Sequence, residues 1–117
     1  MKRDLRLFVN DILENINLIE NSVEKLSLDQ FKSNRLLIDA TLRRLEIIGE
    51  AVKNLPDSFK NKSPKIPWKD IAGFRDKLTH VYFGIILDRV WIVIKQDLSI
   101  LKKQIKEILE KENKKNA

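Results

Sequence analysis

The sequence predicts an all-α fold, an antiparallel up-and-down bundle of about four long helices with short helical segments between them. Three observations lead there. Apolar residues recur at steps of three and four over several long stretches, which marks one face of a helix. The 117 residues include only three Gly and three Pro, too few for the many turns of a sandwich or barrel. Charged residues make up 34% and apolar residues 43%. The charged share exceeds the roughly 25% of an average domain, as long amphipathic helices require. The length fits one domain, residues 1–117, able to bury a core without staples.

The first helix runs from about residue 3 to about residue 25. Leu5, Phe8, Val9, Ile12, Ile16, Ile19, Val23 and Leu26 form its inner face. Ser27-Leu28-Asp29-Gln30 has the form of a capping box, so a second helical segment starts there with Phe31 turned inward. From about residue 34 to residue 55 two adjacent stripes appear. One is Ile38, Leu42, Leu45, Gly49 and Val52; the other is Leu37, Ala40, Ile48, Ala51 and Leu55. A stripe that wide implies a helix covered on two sides. Gly49 inside it suggests a close approach, since Gly costs about 1 kcal/mol relative to Ala in a helix. Pro56 ends the helix.

Residues 56–67 hold all three prolines and read as a loop around one short helical turn. Pro67 suits the first position of the next helix. That helix carries Trp68, Ile71, Ala72, Phe74, Arg75 and Leu78 and should end between His80 and Gly84. The last helix is expected from about residue 87 to residue 111, about 37 Å long. Trp91, Ile94, Leu98, Leu101, Ile105 and Ile108 give it a heptad-like seam. The run Val90 to Ile94 is apolar nearly all round, which implies burial on two sides or a surface for a second copy. Residues 112–117 have no apolar face and are expected to fray.

Composition excludes several chemistries. There is no Cys and one His. That removes a disulfide framework, a cysteine nucleophile and a zinc site. No metal or other cofactor is expected. The absence of Cys suits a reducing cytoplasm. No run of 18 apolar residues occurs, so no membrane span is expected. The start MKRDLRLF interrupts its apolar residues with charges and does not read as a secretory signal. The net charge of +6 favours polyanions such as nucleic acid, although a Lys-rich solvated surface produces the same balance.

Catalytic residue types concentrate in one octet, Arg75-Asp76-Lys77-Leu78-Thr79-His80-Val81-Tyr82, which contains the one His and the one Tyr. On a straight helix Arg75 and His80 lie about 140° apart and share no face. Asp76 and His80 do, and so do Arg75 and Thr79. Arg75 and His80 therefore converge only if the helix ends before His80 or a second protomer completes the site. A two-fold dimer brings two octets into one cleft. There His80 can move a proton and Arg75 can stabilise a phosphorane. RNA carries its own nucleophile, the 2′-OH, so such a site needs no metal. A capping His and a surface Arg remain the plain structural alternative.

The octet resembles the Arg-x4-His-x-Tyr motif of HepT-like proteins in the HEPN superfamily. Ile47-Ile48-Gly49-Glu50-Ala51, Ile66-Pro67-Trp68, Phe74-Arg75-Asp76 and Val90-Trp91 resemble further family segments, in order and over nearly the whole chain. Asp39-Ala40 and the first helix fit as well. Two positions depart from the pattern. Val81 follows the His where a small or polar residue is usual. Ile86 stands where an Asp usually caps the last helix, a role Asp88 can take.

The resemblance implies a homodimeric helical bundle in which two Arg/His motifs meet. It implies a metal-independent endoribonuclease toxin of a type II toxin–antitoxin pair, with RNA as substrate. The expected partner is a minimal nucleotidyltransferase antitoxin that transfers AMP to the motif Tyr, here Tyr82. His80 is then the general acid/base and Arg75 the transition-state clamp, with Asp76 orienting either. Glu50 and Thr79 are candidates for support behind them. AMP on Tyr82 adds bulk and negative charge and opposes RNA entry. Trp68 and Trp91 read as core rather than base-stacking platforms. Two other readings stay open: a non-catalytic HEPN module that binds nucleotide or substrate for a nucleotidyltransferase, and a structural helical dimer with a basic surface.

Overall fold

The structure, a computed structural model, describes the backbone of residues 4–78 and 85–116 and the side chains of residues 4–73 and 87–111. It is all-α, with no strand among the described residues. In chain order the helices are α1 (Leu5–Val23), α2 (Leu28–Lys32), α3 (Arg35–Asn54), α4 (Asp57–Lys60), α5 (Trp68–Leu78), α6 (Ile85–Ile92) and α7 (Leu98–Asn116). A π-helical turn over Val93–Asp97 joins α6 to α7 in one rod.

The helix starts follow local chemistry. Asp4 caps α1, its carboxylate accepting from the Arg6 N–H at 2.9 Å. That backbone bond, and then the Arg6 guanidinium, hold the Asp4 carboxyl below its ordinary value of 3.8. Ser27 and Gln30 form the reciprocal capping box at α2. The Gln30 N–H donates to the Ser27 hydroxyl at 3.1 Å, and the Ser27 N–H donates to the Gln30 side chain at 2.9 Å. The Asn34 side chain accepts from the Leu37 N–H at 3.1 Å and starts α3.

Helix α3 sits at the centre, packed on α1 along one side and on α5 along the other. Ile38, Leu45, Ile48, Gly49, Ala51 and Val52 are buried between them, which accounts for the double stripe. Ala40 departs from it and lies exposed. Helix α1 contributes Val9, Ile12, Ile16, Ile19 and Val23 to the core and also packs on the last rod. Phe31 of α2 is fully buried against Trp91, ring centroids 5.2 Å apart.

The last rod differs from the expected seam at its start. Its buried residues are Leu87, Val90, Ile94, Leu98, Leu101, Ile105 and Ile108, with Trp91 only half-buried. Val90 to Ile94 to Leu98 makes two four-residue steps in a row, which drift by about 80° on a regular α-helix. The π-turn absorbs the surplus. The run from Val90 to Ile94 therefore mostly feeds the protomer's own core. Val90 and Ile94 are buried, and Ile92 alone is half exposed, at 50%. The helix continues to Asn116 rather than stopping near residue 111. Glu107 with Lys111 and Glu110 with Lys114 have the i,i+4 order that favours helix there.

Two lysines tie this rod to α1. The Lys95 ammonium donates to the Val23 carbonyl at 3.2 Å, at the carbonyl end of α1 where a cation is favoured. It also lies 4.8 Å from the Trp91 ring centroid. The Lys102 ammonium bonds the Glu20 carboxylate at 2.8 Å and the Asn17 side chain at 3.0 Å. Lys32 pairs with Asp88 and joins α2 to α6.

Candidate active site

Helix α5 carries the first half of the octet. It begins at Trp68 and remains helical through Leu78, so Arg75 and Asp76 sit on successive helical positions about 100° apart. The side chains of Arg75 and Asp76 lie outside the described residues, as do Thr79, His80, Val81 and Tyr82 entirely. The structure thus places the start of the motif on α5 and leaves its acid/base and modification candidates undescribed.

Its support is well defined. Pro67 stands just before α5 rather than at its first position, and its carbonyl accepts from the Ile71 N–H at 3.1 Å. Trp68 is 9% exposed, and its indole N–H donates to the Lys60 carbonyl at 3.0 Å and the Ser63 carbonyl at 3.1 Å. Phe59 meets Trp68 edge-on at 6.3 Å. Both tryptophans are built into the protein, one beneath the 60–67 loop and the other against Phe31. Neither is an open stacking platform.

Two concave surfaces flank α3. A cleft of about 280 Å³ lies between α1 and α3, lined by Phe8, Asp11, Arg43, Glu46 and Glu50 among others. Glu50 is exposed there, and its backbone carbonyl accepts from the Asn54 side chain at 2.8 Å. The residues that line that cleft belong to α1 and α3. A larger groove of about 630 Å³ runs between α5 and the last rod, with Ile71, Val93 and Ile100 in its walls and Lys65, Asp70 and Asp97 among its polar residues. Reading of the octet did not anticipate this groove, because the π-turn that shapes one wall has no motif of its own.

An all-α bundle whose α5 carries Arg75, the first residue of the Arg-x4-His-x-Tyr segment, is the arrangement expected of a HepT-like protein. The chain belongs to the ribonuclease HepT-like family, which matches it over residues 12–108. A Methanocaldococcus jannaschii protein named as a gamma-glutamylcyclotransferase and candidate RNase is 45% identical over 114 residues, 97% of this chain and 51% of that protein. A candidate RNase of Caldanaerobacter subterraneus subsp. tengcongensis is 46% identical over 107 residues, 92% of this chain and 96% of that one. A Thermococcus cleftensis protein named a probable ribonuclease HepT is 42% identical over 102 residues, 87% of this chain and 93% of its own. The chain spans about half the length of the first relative and nearly all of the other two. No solved structure matches at the same stringency.

No helix among the described residues is long and apolar enough to cross a membrane.

Proposed function

We propose that the chain is a metal-independent endoribonuclease that works as a homodimer and serves as the toxin of a type II toxin–antitoxin pair. The family match across the octet, with relatives named as RNases, is the observation that carries this reading. In the reaction the 2′-OH attacks the adjacent phosphorus. The O2′–P bond forms, the P–O5′ bond breaks, and a 2′,3′-cyclic phosphate and a free 5′-OH result. His80 takes the 2′-OH proton, and a His80 in its acid form protonates the leaving O5′. Two protomers supply one residue for each task. Arg75 faces the charge that grows on the phosphorane. Asp76 orients His80 or the partner's Arg75, with Thr79 and Glu50 as candidates for support behind them.

The exposed Ile92 and Ile100 support a dimer face on the last rod. Eight residues and one wide turn separate them, so they return to the same side. Control falls to a minimal nucleotidyltransferase that places AMP on Tyr82. The added negative charge and bulk repel the RNA backbone. The cytoplasm, where RNA and nucleotide are present, is the matching location.

The test compares ordinary RNA with the same RNA carrying 2′-O-methyl groups throughout, using protein whose intact mass shows no AMP. Cleavage of the first and at least a hundredfold slower cleavage of the second is expected. Equal cleavage of both contradicts attack by the 2′-OH. No cleavage of either by an unmodified, folded dimer favours the non-catalytic module.

A further inference from the structure

We infer that the loop leading into α5, residues 60–69, is a preformed contact for the phosphate backbone of single-stranded RNA. The inference rests on the ribonuclease reading and adds to it the track along which substrate lies. Lys60, Lys62, Lys65 and Lys69 fall within ten residues, with no acidic residue among them until Asp70. Elsewhere among the described residues five cations are matched by carboxylates, while others such as Arg44, Lys53, Arg89 and Lys106 are not, so the density of lysines on a fixed backbone is what sets this segment apart. Arg6 pairs with Asp4, Lys32 with Asp88, Arg35 with Asp39, Arg43 with Glu46 and Lys102 with Glu20. Lys60, Lys65 and Lys69 make no ion pair among the described residues, and Lys65 and Lys69 are exposed. Such charge raises the local potential for a polyanion.

The loop is also held in shape. Phe59 and Ile66 are buried, at 1% and 2% exposure. Backbone bonds from Ser63 to Lys60, 3.2 Å, from Ile66 to Ser63, 3.2 Å, and from Trp68 to Ile66, 2.8 Å, close successive turns. The Trp68 indole fastens two carbonyls from beneath. A surface fixed before binding loses little freedom when it is occupied. The segment ends where α5 begins. Lys69 and Arg75 are six residues apart on α5, about 9 Å of rise and about 120° of turn, so a strand that passes both must wrap around the helix. The loop would then hold the backbone beside the scissile phosphate and leave the bases unread.

The experiment measures binding of a labelled, mixed-sequence single-stranded RNA of 20 nucleotides to His80→Ala protein, from 50 to 200 mM salt. The comparison is Lys60→Gln/Lys65→Gln/Lys69→Gln in the same background, with Lys103→Gln/Lys106→Gln/Lys111→Gln as control; circular dichroism confirms that each is folded. Three lost phosphate contacts flatten the slope of log K against log salt by about two, so the loop variant loses about 15-fold less affinity across that range than its parent. The control keeps the parental slope. A parent that binds RNA while the loop variant keeps its slope, or the control loses as much, overturns the inference alone. A parent that binds no RNA overturns both it and the ribonuclease reading. In the His80 protein the loop substitutions should raise KM and leave kcat unchanged.

Discussion

At the residue scale the least satisfied group in the core is the Thr41 hydroxyl. Thr41 is 1% exposed in the middle of α3, and its Oγ1 has no hydrogen-bond partner among the described residues. A buried hydroxyl without a partner costs about 1–3 kcal/mol in lost hydration. Thr41→Val keeps the shape and removes the polar atom. Thermal or denaturant unfolding should show the variant as stable as the parent or more stable by about 1 kcal/mol. A loss of that size would instead mean that Thr41 has a partner worth keeping. Asn15 shows the satisfied case: its side chain is 8% exposed and donates to the Asp11 carbonyl at 2.7 Å.

At the element scale the π-turn makes the sharpest prediction. Val90 and Leu98 are eight residues apart, and both face the core. Deleting the exposed Gln96 leaves seven residues, close to the 7.2 of two regular α-turns. The variant should fold with its transition within a few degrees of the parent. Deleting the equally exposed Lys103 turns Ile105 and Ile108 about 100° away from the seam. That variant should melt far lower or not fold. Equal damage from both deletions would show that the π-turn is required in itself. The turn was hidden in the sequence because its signature is only a doubled four-residue step inside an apolar run. By contrast, α1, α2 and α3 were legible. Their periodicity and the Ser27 and Gln30 box are local signals that tertiary packing reinforces. The exposed Ala40 shows where periodicity alone misleads, since it does not say where a neighbouring helix ends.

At the scale of the whole molecule, packing places α5 on α3 and leaves a groove between α5 and the last rod. Legibility of the site followed residue chemistry more than geometry. The one His and one Tyr of the chain share an octet with Arg75, and composition had already removed Cys chemistry. The basic loop ahead of α5 was harder to see. Its lysines are ordinary one at a time, and the fixed backbone that holds them together emerges only when the chain is folded. In the proposed reaction His80 is the group that moves the proton in RNA cleavage. Its most direct measurement is cleavage of mixed tRNA and a structured messenger in EDTA by the unmodified protein and by His80→Ala, with folding and dimer state verified for both. Cleavage by the first and a loss of at least a hundredfold in the second are expected, in line with the usual contribution of general acid–base catalysis. Undiminished cleavage by His80→Ala would contradict proton transfer by His80.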